Sequence, residues 1–130
     1  MRVLQIGKYL PPPYAGIEAH MHDLMRALNP EVKCTLLAAT DDANHPLIGQ
    51  IEPYTVLAAH CYGSVASVPI APSMYFMANK EIDSGRADVL HLHPPNPWGD
   101  LLAIPNKQKV PSVMTWHSDI IRQKKLMKVY

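Results

Sequence analysis

The run Val113-Met114-Thr115-Trp116-His117-Ser118-Asp119 ends in an imidazole, a hydroxyl and a carboxylate, groups that donate or accept protons or hydrogen bonds. Upstream, Asp88-Val89-Leu90-His91-Leu92-His93 carries two histidines two residues apart, which an extended segment turns to one face. Near the start, Gly7 and the Ala15-Gly16 turn supply small residues, the second just before a helical pattern whose unpaired N–H groups attract anions. Acid–base chemistry, anion binding and metal binding are all open to such a set. A zinc site would gather His91, His93, His117 and Asp119, but no HxxxH or HExxH spacing supports one. The plainer reading makes His91 a satisfied core residue and His93 the wall of a pocket. The first loop lacks GxGxxG, so no dinucleotide fingerprint is present, and His20 and His22 read as a flank and a solvated face of the first helix.

A regular alternation of strands and helices positions these residues. Residues 2–7 read as a central strand, followed by a loop stiffened by Pro11, Pro12 and Pro13 and closed by Gly16. Ile17, Met21, Leu24, Met25 and Leu28 then recur at helical spacing, with Glu18, His22, Asp23 and Arg26 opposite, until Asn29-Pro30 stops the helix. Residues 32–39 form a nearly continuous apolar strand, as expected of a sheet covered on both faces. Residues 54–60 and 64–70 read as two more strands, arranged as a small hairpin or a bent excursion from the sheet. A helix over 72–82, a strand over 87–93, the proline-stiffened loop Pro94-Pro95-Asn96-Pro97 and a helix over 98–104 with Leu101 and Leu102 inward come next. The run from Val113, after Pro111, reads as a buried strand that ends in His117. The pattern predicts an α/β fold: a Rossmann-like, doubly wound, mostly parallel sheet with helices on both faces. Ligands bind such sheets beyond the carboxyl ends of the strands, where Gly7, Ala15, Gly16, His93 and His117 all fall.

Past Asp119, a potential helix cap, four of the chain's twelve basic side chains lie between Arg122 and Lys128. That run reads as a solvated face or as a weak contact with anionic lipid. The helical pattern is still running at Tyr130, as in the front portion of something longer.

Composition narrows the classes. With 48% hydrophobic and 18% charged residues, the 130-residue chain has the balance of one globular domain. A net charge of +1 and the lack of a basic patch interleaved with aromatics argue against nucleic acid as a partner. Cys34 and Cys61 sit in or beside apolar runs, outside any CxxC pair, and read as small buried hydrophobes. No leader peptide or apolar stretch of spanning length is evident, so the default address is cytoplasmic.

Three segments together resemble the N-terminal domain of retaining, nucleotide-sugar-dependent glycosyltransferases of the GT-B fold, family 4. Residues 2–28 are similar to that family's opening strand, proline loop, small-residue turn, acidic residue and amphipathic helix. Residues 88–93 resemble its D-V-hydrophobic-H-x-H strand, and 113–119 its T-x-H-D strand end. The continuation through Arg122-Gln123-Lys124 resembles bacterial surface-polysaccharide members. One position departs: the family usually has two glycines where this chain has Ala15-Gly16, and the methyl of Ala15 restricts φ.

The resemblance implies that residues 1–130 form the acceptor-side half of a GT-B enzyme whose C-terminal nucleotide-sugar domain is absent from this chain, leaving the chain inactive alone. It implies His117 as the catalytic residue beside the transferred sugar, with Ala15, Gly16, Glu18, His93, Asn96, Ser118 and Asp119 contacting donor or acceptor. It implies a nucleotide-sugar donor, a saccharide or lipid-linked acceptor, no cofactor and no metal, in the cytoplasm or at the inner face of the membrane. A non-catalytic sugar- or nucleotide-binding module and a histidine-rich metal-dependent hydrolase are the competing readings.

Overall fold

The computed structural model describes residues 1–11, 16–65, 68–94, 96–106 and 110–116. In chain order they form β1 (Arg2–Tyr9), α1 (Gly16–Leu28), β2 (Lys33–Thr40), β3 (Ile48–Ile51), β4 (Tyr54–His60), β5 (Ser64–Val65), β6 (Val68–Pro69), α2 (Ser73–Asp83), β7 (Val89–Leu92), α3 (Pro97–Asn106) and β8 (Ser112–Met114). Six strands make one sheet in the order β3-β4-β2-β1-β7-β8, with every pair parallel except β3 and β4. The central place expected for β1 and the doubly wound plan are both observed.

Strand alternation divides the core into two layers. Leu4 and Ile6 of β1 turn to the face carrying Leu37, Leu57, Leu90 and Leu92, against Met74, Ala78 and Ile82 of α2 and Leu102 of α3. Val3, Cys34, Leu36, Ala38, Tyr54, Val56 and Ala58 turn to the other face, where Met21 and Met25 of α1 cover them. Burial of both sets explains why β1, β2 and β4 lack a polar face. α1 approaches the sheet closely at Gly7: a Cβ there would meet the Sδ and Cε of Met21 at 3.3 Å.

Ion pairs fasten the amino-terminal edge. Arg2 donates to Asp88 from its backbone nitrogen (2.8 Å) and from its guanidinium (3.2 Å), tying β1 to the approach to β7. Those hydrogen bonds hold the Asp88 carboxyl below its usual range. Arg86 pairs at 3.0 Å with Glu81 in the last turn of α2, just past whose end Gly85 takes φ +74°.

Several expectations need correction. β3 is an additional strand, antiparallel at the sheet edge; Gly49 interrupts its four residues, too few to show an alternation. Residues 54–60 are a full parallel partner of β2, whereas β5 and β6 form a separate two-stranded hairpin. Leu102 is fully buried but Leu101 is exposed, because neighbouring helical positions point about 100° apart. β8 is not buried: Val113 and Met114 are both more than half exposed, since β8 is the end strand of the described sheet and pairs on one side only. His22 is not on a solvated face; its Nδ1 shares a 2.7 Å hydrogen bond with the Tyr54 hydroxyl of β4.

Candidate functional site

Parallel pairing brings the carboxyl ends of β1, β7 and β8 side by side, with the first turns of α1 and α3 above them. Asn96 joins these parts. It is buried, its Nδ2 donates to the Gly7 carbonyl at 3.2 Å, and its Oδ1 accepts from the Trp98 N–H at 3.3 Å. Its own carbonyl accepts from Asp100, so Asn96 caps α3 while stapling the loop after β7 to the end of β1. The Trp98 indole donates to the Pro69 carbonyl at 2.7 Å, anchoring the β5–β6 hairpin against the same helix start. Asn96, expected to contact donor or acceptor, therefore directs both ends of its amide at the protein.

The histidines of β7 stand on the α1 face of the sheet. Register pairs Gln5 with His91, so Gln5, His91 and, two residues on, His93 share that face. His91 Nε2 meets the Thr115 hydroxyl at 2.7 Å, and Thr115 is held by its N–H on the Leu92 carbonyl at 2.9 Å. His93 is fully buried, with Nε2 2.6 Å from Gln5 Oε1. The two rings lie 4.2 Å apart, and the ring of His20 from α1 stands edge-on to His93 at 6.4 Å. His91 is thus a satisfied core residue, and His93 is buried beside His20 on the α1 face.

The rim opposite is formed by the start of α1. Gly16 takes φ +47°, a conformation that favours glycine, and open space surrounds the position of its missing Cβ. Glu18 lies in the first turn, half-buried. Lys8, at the end of β1, is also half-buried, and burial pushes its ammonium pKa down while Glu18 pulls it up. A cation and a carboxylate therefore interact beside a helix N-terminus, a setting suited to a ligand bearing both phosphate and hydroxyl groups.

Of the residues expected from sequence, the structure brings Gly16, Glu18, His93 and Asn96 to this end of the sheet. Ala15, His117, Ser118 and Asp119 lie outside the described residues, as does the basic segment 120–130. Two residues were missed. Gln5 was signalled by a polar residue inside an apolar strand, and Lys8 by a cation at a strand end. Among the described residues no group of three His, Cys, Asp or Glu side chains is arranged to hold a metal ion, and no helix is long and apolar enough to cross a membrane. Two cavities, of about 520 and 630 Å³, lie away from this crevice along β3, β4 and α2.

Residues 14–130 match the profile of Glycosyltransferase Family 4. The chain is 29% identical to the O-antigen chain mannosyltransferase C of Escherichia coli over 133 aligned residues, covering all of this chain and 35% of that protein. It is 33% identical to the D-rhamnosyltransferase WbpZ of Pseudomonas aeruginosa over 132 aligned residues, covering 34% of it. The chain thus spans about a third of the length of these curated relatives. Among solved structures, sucrose-phosphate synthase from Thermosynechococcus elongatus superimposes with a TM-score of 0.61 at 12% identity, over 95% of this chain and 35% of that one. That likeness is one of fold.

Proposed function

Because the chain belongs to Glycosyltransferase Family 4, we propose that it is the N-terminal, acceptor-side domain of an enzyme that moves a sugar from a nucleotide-sugar donor to a saccharide or lipid-linked acceptor, with retention. The single observation that carries this reading is the family match, which runs from α1 through His93 to the His117 segment. The two bacterial relatives, an O-antigen chain mannosyltransferase and a D-rhamnosyltransferase, support surface-polysaccharide synthesis as the setting.

In this proposal the crevice at the carboxyl ends of β1, β7 and β8 is one wall of the reaction site, and a second domain carrying the nucleotide closes over it. Closure excludes water, which would otherwise hydrolyse the donor. The transferred sugar develops oxocarbenium character as the diphosphate departs. His117 sits at the reacting centre, and the N–H groups following Gly16, with Lys8 nearby, favour the anionic end of the donor. Glu18, Ser118 and Asp119 offer hydrogen-bond partners to sugar hydroxyls. The transfer uses no metal and no organic cofactor. In this reading the protein works in the cytoplasm, where the basic run between Arg122 and Lys128 would allow a weak contact with anionic lipid.

The test is transfer of labelled sugar by the full-length protein, from a panel of nucleotide sugars to lipid-linked saccharides, with the anomeric configuration of the product determined. A retained configuration is expected, and His117→Ala should lower turnover about 10²-fold or more, the scale of a lost acid–base or polar contact. Undiminished turnover in that variant would remove the role given to His117, and an inverted product would remove retention.

A further inference from the structure

We propose that the outer edge of β3, together with the apolar groove between it and α2, takes an extended, acidic segment of a partner protein by strand addition. Among the described strands β3 ends the six-stranded sheet and pairs only with β4. The Ala58 N–H donates to the Leu47 carbonyl at 2.9 Å, which fixes the phase of that antiparallel ladder. Bonded and non-bonded pairs alternate along it, so Gly49 and Ile51 face β4 while the N–H and C=O of Ile48 and Gln50 point outward. Among the described residues those outward groups have no backbone partner. Two residues make a short rail, so an added strand needs side-chain contacts as well.

The groove offers them. α2 packs over β2 and β4, and the face of β3 beside it stays bare. Ile48 stands opposite Leu57, whose side chain belongs to the core under α2, yet Ile48 itself is 70% exposed and the adjoining Leu47 66%. These residues and Met77 of α2 line the groove of about 630 Å³. A strand laid along β3 would turn every second side chain toward it. Backbone pairing with pockets for alternate side chains is the way extended peptides are recognised at sheet edges.

Charge selects the occupant. Met77, Lys80 and Glu81 follow one another at helical spacing on the α2 wall, with Arg86 beyond them. Arg86 already holds Glu81 at 3.0 Å, whereas Lys80 has no carboxylate partner among the described residues. The groove therefore carries one surplus cation. A segment whose groove-facing side chains are apolar, with an acidic one opposite Lys80, complements both its floor and its charge.

Titration of the full-length protein into fluorescent, end-blocked peptides tests this. The peptides alternate valine and threonine, with the valine nearest either end replaced by glutamate, or by lysine in the controls. A glutamate peptide should bind with a Kd of about 100 μM or tighter, at least about tenfold tighter than its lysine counterpart. Amide hydrogen exchange at Ile48 and Gln50 should slow in the complex. Gln50→Pro deletes an outward N–H without touching the bonds to β4, and should abolish binding while exchange in the rest of the sheet is unchanged. Lys80→Glu should reverse the preference between the peptides. Equal binding of glutamate and lysine peptides, binding that survives Gln50→Pro, or no binding at about 1 mM would overturn the assignment. So would a dimer of the full-length protein that Gln50→Pro dissolves, since a second copy would then occupy the edge. Sedimentation with phosphatidylglycerol vesicles that is lost in Ile48→Asp, with no peptide bound, would give the groove to lipid and overturn it too. Should Gln50→Pro not fold, the reversal in Lys80→Glu decides alone. None of these readouts depends on sugar transfer, so they stand apart from the transferase reading.

Discussion

At the scale of single residues, the crevice is built on buried polar side chains whose partners lie far away in the chain. Asn96 carries two of these contacts at once, capping α3 and gripping the Gly7 carbonyl. Asn96→Ala should therefore cost about 1–3 kcal/mol, combining a lost helix cap with a buried carbonyl left unpaired. Urea unfolding of the purified chain would measure it, and a loss below about 0.5 kcal/mol would show that the staple is dispensable. The histidines at 91 and 93 were legible from alternation, because strand geometry alone places them on one face. Gln5 was not. Its meaning depends on lying in register with His91, a pairing between distant segments that no local pattern encodes. His22 misled for the same reason: a polar position on an amphipathic helix reads as solvated until Tyr54 of β4 arrives beneath it.

At the scale of elements, α1 reaches the sheet through the gap left by Gly7. Gly7→Ala would press a methyl against Met21 and should destabilise by about 1–3 kcal/mol, the range for overpacking. Met21→Ala leaves a cavity of its own, but in the double variant the two changes share one space. The combined loss, read from denaturant midpoints, should fall short of the sum of the single losses; a strict sum would mean the two side chains do not meet. The Arg2–Asp88 link gives a pH signature. Its carboxyl titrates lower in the folded protein than in the unfolded chain, so its contribution is present above the unfolded value of about 3.9 and fades as pH falls through the lower folded value. The difference in stability between wild type and Asp88→Asn should accordingly shrink in acid below about pH 4, and a difference that grew there would contradict the link. Long apolar strands and the stripe of α1 were readable because period and burial agree. β3 and the β5–β6 hairpin were not, since strands of four and two residues cannot display a period.

At the scale of the whole molecule, the alternation of strands and helices was enough to specify a doubly wound sheet with β1 at its centre, whose parallel strands end on one side, where sheets of this kind bind ligands. The sheet order, the antiparallel edge and the exposure of β8 came only with the assembled fold. That fold is shared with a sucrose-phosphate synthase, and the match covers 35% of that enzyme, as it does about a third of the bacterial relatives. The central claim is that this chain forms one wall of a two-domain transfer site, with the nucleotide held by the other. Calorimetric titration of the 130-residue chain with a panel of nucleotide sugars, alongside the full-length enzyme, tests it most directly. The account predicts that the chain alone binds each of them more weakly than about 1 mM, while the full-length enzyme binds its donor in the micromolar range, about 4 kcal/mol tighter. Micromolar binding by the chain alone would contradict it, and would make these residues a self-sufficient binding module.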